Sequence, residues 1–316
     1  MKALTFSEFG GPDVLRWTEL PDPVPGPGQA LVRLQAIGLN FADVYRRQGR
    51  YHLRGAPPYI AGYEGAGVVV SAPPGSGFAP GDRVGFADAP FANAELAAVD
   101  CERLIPLPAT INAETAAAAL LQGLTAQFLA SDSHPLAAGE TALVHAAAGG
   151  VGGLLMQWGA ARGARMIGLT SSEAKAAVLR GQAAEVLVSP PGAAPDLTGL
   201  PPLDVVYDST GMTVLDSLTQ VRTGGTVVFY GMAGGTPPPV PPSILMDGSK
   251  RLVGGDLWNV LTGAEERRRR AAELFGLIES GRLRVPVAAR FPLSEGAAAH
   301  ALIEARGTVG KILLIA

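Results

Sequence analysis

Cysteine is nearly absent from this 316-residue chain: Cys101 stands alone. A single thiol excludes an internal disulfide and a four-cysteine metal lobe, and it fits a reducing, cytoplasmic setting. Histidine is sparse too; His52, His134, His145 and His300 stand at spacings that match no metal-ligand motif. Charged residues make up only 17% and nearly cancel at a net −3, so nothing in bulk draws the chain to nucleic acid or to an anionic lipid surface. No apolar run approaches the roughly 18 residues of a membrane span. Residues 1–6 lack the basic-then-apolar pattern of a secretory signal. Lysine is also scarce, with Lys2, Lys175, Lys250 and Lys311 among 25 basic residues, so each lysine carries more weight than any one arginine.

What is abundant is apolar or small: 47% hydrophobic residues, with 41 glycines and 26 prolines. The length exceeds the ~250–300 residues at which single cores stop growing, so two domains are expected. In the first third, alternation over 30–37, apolar runs at 65–70 and 82–86, and the pairs Pro25-Gly26, Pro74-Gly75 and Pro80-Gly81 predict short strands joined by turns. Residues 112–129 form one Ala-rich helical pattern suited to a connector. Then the rhythm changes. Strands at 141–146, 165–170, 185–188, 204–207 and 226–231 alternate with helical segments ending at Arg162, Gly181 and Arg222, which predicts a parallel doubly wound sheet. Residues 236–242 are a proline-rich loop. After a strand near 252–254, a helix over 263–280 and a last strand over 311–315 are expected to return to the first domain. The expected boundaries give a catalytic domain of residues 1–117 and 256–316 around a dinucleotide-binding domain of 118–255.

The apolar run at 142–144 breaks into His145-Ala146-Ala147-Ala148-Gly149-Gly150-Val151-Gly152 and then enters an amphipathic segment. That strand–turn–helix order suits a dinucleotide, because glycines let the backbone approach a pyrophosphate and the helix start points its N–H groups at the charge. An NAD site commonly carries an acid about 20 residues further on. Here the region reads Thr170-Ser171-Ser172-Glu173-Ala174-Lys175, with hydroxyls where the acid would sit and Glu173 expected in the first turn of the next helix. Hydroxyls and an ammonium accept a 2′-phosphate that an acid would repel, so NADPH is favoured over NADH.

With these residues in place, the chain resembles the zinc-free quinone oxidoreductase (zeta-crystallin-like) branch of the medium-chain dehydrogenase/reductase superfamily. The resemblance rests on Phe9-Gly10-Gly11-Pro12-Asp13-Val14-Leu15, on Ala36-Ile37-Gly38-Leu39-Asn40-Phe41-Ala42-Asp43, and on Gly62-Tyr63-Glu64-Gly65-Ala66-Gly67. It rests further on Gly81-Asp82-Arg83-Val84, Leu121-Gln122-Gly123-Leu124-Thr125-Ala126, the glycine turn and Gly310-Lys311-Ile312. It implies an α/β fold in which a Rossmann sheet is inserted into a β-rich GroES-like catalytic domain, with the active-site cleft between the two and a homodimer built through sheet edges. Zinc-dependent members use Cys and His ligands in the segments that here hold Asn40 and Tyr63, so the resemblance together with the single cysteine predicts no metal. By similarity, cofactor contacts come from Asn40, Thr125, Gly149, Gly150, Val151, Gly152, Ser171, Ser172, Lys175, Ser209, Gly231, Met232 and Arg306.

Two departures stand out. Members often carry a tyrosine after the third strand that covers the adenosine phosphate, whereas this chain has Ser189-Pro190-Pro191 and is about one residue shorter there. That predicts a looser hold on the phosphate, or more reliance on Lys175 and Arg306. Tyr63 stands where a small residue is frequent, which narrows the expected pocket.

Without a Lewis acid, alcohol oxidation loses its means of acidifying the substrate, whereas an electron-poor quinone needs hydride delivery and hydrogen bonding to its developing oxyanion. Asn40, Tyr45 and Tyr51 are the candidates for that polarisation. A phenol is a poor general base at neutral pH and a serviceable donor. The rival reading is an NADPH-dependent enone or alkenal double-bond reductase of the same fold. A short-chain dehydrogenase fits poorly, since none of the six tyrosines has a lysine four residues on. A nucleic-acid role would rest on Glu265-Glu266-Arg267-Arg268-Arg269-Arg270, whose Glu-to-Arg spacing reads as a solvated helix face instead.

Overall fold

Apolar runs separated by Pro-Gly turns fold as antiparallel strands, and the apolar runs of the middle region, which alternate with helical segments, fold as a parallel sheet. The computed structural model describes residues 1–180, 185–190, 193 and 195–316. In chain order, β1 (Lys2–Phe6), β2 (Arg16–Glu19) and β3 (Gln29–Leu39) come first, and β3 runs almost directly into α1 (Phe41–Arg47). Then come β4 (Tyr59–Ile60), β5 (Gly65–Ser71), β6 (Arg83–Phe86), β7 (Leu96–Asp100), β8 (Ile105–Pro106) and the helix α2 (Ala113–Phe128). The alternating region comprises β9 (Thr141–Val144), α3 (Gly150–Ala161), β10 (Arg165–Thr170), α4 (Glu173–Arg180), β11 (Glu185–Val188) and β12 (Leu203–Asp208). It continues through α5 (Val214–Gln220), β13 (Val221–Phe229), α6 (Pro242–Asp247) and β14 (Arg251–Gly254). The chain closes with α7 (Ala264–Glu279), β15 (Val287–Pro292), α8 (Gly296–Glu304) and β16 (Lys311–Ile315).

Two units result. One comprises Met1–Leu124, Leu261–Ser280 and Val285–Ala316, and the other Thr125–Val260 with Gly281–Arg284. The first division falls inside α2, a continuous helix; the expected boundaries after 117 and 255 lie earlier than these, and Gly281–Arg284, expected with the catalytic domain, group with the second unit.

In the first unit, one sheet runs β15-β16-β3-β5-β6-β8 with β7 also on β3, and a second runs β2-β1-β4. Val32, Leu34, Ile37, Leu39, Val84, Phe86 and Leu314 fill the core. The C-terminal strand β16 lies antiparallel to β3, with Ile312 opposite Leu39 and Leu314 opposite Ile37. Its four residues after Lys311 are apolar, and burying them requires the first unit's core. The same register carries Lys311 to the end of β3, beside Asn40.

The second unit is a six-stranded sheet in the order β11-β10-β9-β12-β13-β14, parallel throughout. Val144, Ile167, Val205, Val206, Val227 and Val228 are buried in it, as expected where both faces of a parallel sheet are covered. The strand order is that of a Rossmann sheet, and it reverses between β9 and β12. β9 stops at Val144, short of the expected 146, because Ala146 takes a left-handed φ of 49° that no strand continues. The helix expected to reach Arg222 gives way at Gln220 to β13. The helix end expected at Gly181 lies outside the described residues. No helix among the described residues is long and apolar enough to cross a membrane.

Candidate dinucleotide and acceptor sites

The turn after β9 is built for close backbone approach. Gly149 N-caps α3 and donates its N–H to the Ala146 carbonyl at 2.8 Å. A Cβ on Gly152 would stand 2.5 Å from the Ala146 oxygen and 2.9 Å from the Ala147 Cα, so no side chain fits there without moving backbone. The first N–H groups of α3, at Gly150, Val151 and Gly152, have no intrahelical acceptor and carry the positive end of a twelve-residue helix. This cradle fits a pyrophosphate.

At the carboxyl end of β10, the Lys175 ammonium donates to the Ser171 hydroxyl at 3.2 Å. Glu173 begins α4, is exposed and pairs with Arg180 at 2.7 Å, which holds its carboxyl below the usual range. The acid is therefore engaged away from Ser171 and Lys175. Further along, Ser189 donates its hydroxyl to the Ala193 carbonyl at 2.7 Å; Pro191 lies outside the described residues.

Ser209 follows β12, and Gly231 and Met232 follow β13, at the same carboxyl edge. A Cβ on Gly231 would come within 2.9 Å of the Ser209 carbonyl oxygen, so glycine lets these two loops touch. Thr125 belongs to this second unit, on α2, whereas Arg306 belongs to the first, exposed after α8 with a left-handed φ of 56°. Of the residues expected to hold the cofactor, the second unit gathers the glycine turn, Ser171, Ser172, Lys175, Ser209, Gly231 and Met232 at one sheet edge.

The polarising candidates Asn40, Tyr45 and Tyr51 lie in the first unit, around α1. The Asn40 amide donates to the Gly38 carbonyl at 3.1 Å and to Glu64 Oε2 at 2.8 Å. Its Oδ1 accepts from Lys311 Nζ at 2.7 Å and from Gln122 Nε2 at 3.3 Å. Both amide protons and both lone-pair positions are thus in use. Glu64 Oε1 accepts the Leu121 N–H at 2.6 Å, and Gly38 leaves the room, since a Cβ there would stand 2.2 Å from Glu64 Oε2. One turn on, Asp43 accepts from the Asn40 N–H and from Arg46. Burial pushes the Asp43 carboxyl up, and the neighbouring Arg46 charge opposes that rise.

Arg46 also stacks on aromatic faces, its guanidinium carbon 3.6 Å from the Tyr63 ring centre and 5.1 Å from that of Tyr51. Tyr63 is buried, and its hydroxyl accepts the Arg54 N–H at 3.2 Å, which ties the segment after α1 down. Burial raises its phenol pKa. Tyr45 is half-buried beside Phe41 and under the Arg50 guanidinium.

Sequence reasoning missed the roles of Glu64, Lys311 and Gln122, and missed Asp208 and Thr213 altogether. The available signals were the rarity of lysine and an acid at a strand end followed by Ser-Thr-Gly. The one basic run is engaged internally: Arg267 pairs with Asp88 at 2.6 Å, Arg269 and Arg270 pair with Glu266 at 2.7 Å, and Arg268 lies over the Phe78 ring. Among the described residues, no three of His, Cys, Asp and Glu converge as a metal site.

Residues 26–137 match the alcohol dehydrogenase GroES-like domain, and residues 182–314 match a domain described as zinc-binding dehydrogenase. A GroES-like unit with a Rossmann unit in this order defines a medium-chain dehydrogenase/reductase. The chain is 40% identical to a quinone oxidoreductase of Pseudomonas aeruginosa, covering 99% of both chains. It is 36% identical to a 2-haloacrylate reductase of a Burkholderia species, over 99% of this chain and 98% of that one. The crystal structure of Escherichia coli quinone oxidoreductase complexed with NADPH superposes with a TM-score of 0.94 at 34% identity, covering all of both chains. The chain belongs to the quinone oxidoreductase family of that superfamily.

Proposed function

We propose that the chain is an NADPH-dependent quinone reductase that works without zinc. One observation carries the cofactor half: the tip of β10 offers the Ser171 hydroxyl and the Lys175 ammonium 3.2 Å apart, with Glu173, between them in sequence, bound to Arg180. A 2′-phosphate is accepted by that pair, and the glycine turn accepts the pyrophosphate. NADPH, when bound, would supply the reducing equivalents, as hydride or as electrons, to an electron-poor acceptor. The chain's own residues then hold the acceptor and stabilise the charge that develops on its oxygens. Tyr45 and Tyr51 donate hydrogen bonds to those oxygens. Asn40, fully engaged by Lys311, Glu64, Gln122 and Gly38, holds the turn into α1 that carries Tyr45.

Zinc independence is supported by the residues that stand where zinc enzymes of the resemblance place ligands. Asn40 is saturated, the Tyr63 ring lies on Arg46, and Cys101 is the chain's one thiol. The edge strand β14 leaves one row of backbone groups for a second copy, which supports a homodimer. The single cysteine supports a cytoplasmic location.

The similarity to 2-haloacrylate reductase favours a second reading, reduction of an activated C=C bond. Comparing NADPH oxidation by 1,4-benzoquinone, a bulky ortho-quinone, a 2-alkenal and 2-chloroacrylate separates the two. Quinone reduction requires kcat/KM to be highest for a quinone; faster turnover of the alkenal or haloacrylate overturns it.

A further inference from the structure

We propose that His145 is a further cofactor contact, whose Nε2 accepts a hydrogen bond from a neutral donor on the nicotinamide-riboside half of the bound dinucleotide. The inference rests on the NADPH reading and extends it to a residue outside the glycine turn. His145 is the first residue after β9, and its N–H donates to the carbonyl of Tyr207 in β12 at 3.0 Å. It therefore stands where the strand order reverses, at the carboxyl ends of β9 and β12. In an open parallel sheet, ligands bind in that crevice. A dinucleotide with its 2′-phosphate at the tip of β10, on one side of β9, and its pyrophosphate on the turn would carry its nicotinamide half to the β12 side.

Proton counting settles the state of the imidazole. Asp208 Oδ1 accepts the N–H groups of Thr210 and Gly211, at 2.8 and 3.0 Å. Its Oδ2 accepts the hydroxyls of Thr213 and Ser217, at 2.7 and 2.9 Å. The one hydroxyl proton of Thr213 is therefore committed to Asp208, so its oxygen accepts from His145 Nδ1–H at 3.1 Å. Burial pushes the imidazole pKa down and keeps the ring neutral. The lone pair is thus on Nε2. This atom is buried, on a side chain 4% exposed, and has no hydrogen-bond partner among the described residues. A buried acceptor left unmade is costly, and a dinucleotide held at this sheet edge would bring a donor to it. Two groups on that half qualify, a ribose hydroxyl and the carboxamide N–H.

The test is equilibrium binding by calorimetry, with no turnover required. His145→Phe keeps a ring and removes the acceptor. It should weaken NADPH about tenfold, the loss expected for one neutral hydrogen bond, while 2′,5′-ADP, which lacks the nicotinamide half, binds as before. Thr213→Val, which releases the imidazole from its fixed tautomer, should weaken NADPH in the same direction. With the unaltered protein, an NADP analogue bearing acetyl in place of carboxamide identifies the donor, and either result supports the contact. A loss matching that of His145→Phe assigns the carboxamide, and full affinity assigns a hydroxyl. NADPH binding by His145→Phe within twofold of the parent overturns the inference, as does an equal loss of 2′,5′-ADP. Failure of the unaltered protein to bind NADPH overturns the cofactor reading and this contact with it.

Discussion

Lys311 and Glu64 form an ion pair sealed inside the first unit, Nζ to Oε2 at 2.7 Å, with the two side chains 1% and 0% exposed. Two charges in that setting stabilise only as a pair, since either one alone is left desolvated. Lys311→Met should therefore destabilise the first unit by ~3–5 kcal/mol. The double variant Glu64→Gln/Lys311→Met keeps an acceptor for the Leu121 N–H and should recover more than half of that loss. Urea unfolding followed by tryptophan fluorescence reads both, and equal stability of the single and double variants contradicts the pairing.

Lys175 and Ser171 should separate the two nicotinamide cofactors. Removing the ammonium with Lys175→Ala should cost the proposed charge-assisted contact to the 2′-phosphate, worth roughly tenfold or more in NADPH affinity. NADH affinity should not change, and Glu173→Ala should change neither, because that carboxylate faces Arg180. Fluorescence titration of both cofactors checks this; a parallel loss of NADH would place Lys175 elsewhere in the site.

His300 on α8 should make the fold acid-sensitive. It is fully buried, neither ring nitrogen has a hydrogen-bond partner among the described residues, and burial with the nearby Arg47 charge pushes its pKa from 6.5 down to about 3. Above pH 6.5 the ring is neutral folded and unfolded, and contributes no pH dependence. As pH falls from 6.5 toward 3, the unfolded chain takes up a proton that the folded one refuses, so stability declines by roughly 1.4 kcal/mol per pH unit. His300→Gln should remove one proton's worth of slope from unfolding free energies measured between pH 6 and 4. An unchanged slope means that the ring gains a proton without unfolding.

The proposed reaction gives Tyr45 and Tyr51 the role of hydrogen-bond donors to the acceptor oxygens. Tyr45→Phe and Tyr51→Phe should each lower kcat/KM for 1,4-benzoquinone about three- to thirty-fold, the range of one lost hydrogen bond. NADPH affinity should hold, because only the acceptor loses a donor. Steady-state kinetics beside NADPH titration distinguishes this from damage to the whole site.

Much of the second unit was legible because a parallel strand buried on both faces is a bounded apolar run. Residues 165–170 match β10 end for end, as 185–188 match the edge strand β11 and, in the first unit, 311–315 match β16. The end of β9 was not, since Ala146 takes the left-handed conformation with none of the signal a glycine gives. The glycine turn, Ser171 and Lys175 could be read because a strand–turn–helix unit is local. Lys311 and Glu64 lie 247 positions apart and meet only through the pairing of β16 with β3. His145, Thr213 and Asp208 likewise meet only where β9 and β12 become neighbours, which no local periodicity records.

The most direct measurement is the rate of cofactor oxidation when 1,4-benzoquinone is added to the protein in EDTA, with NADPH and NADH compared at equal concentration. Rapid, EDTA-insensitive oxidation of NADPH, with NADH at least tenfold poorer in kcat/KM, is the predicted result. No quinone-dependent oxidation of NADPH, or activity lost to EDTA and restored by zinc, would contradict a zinc-free NADPH:quinone reductase.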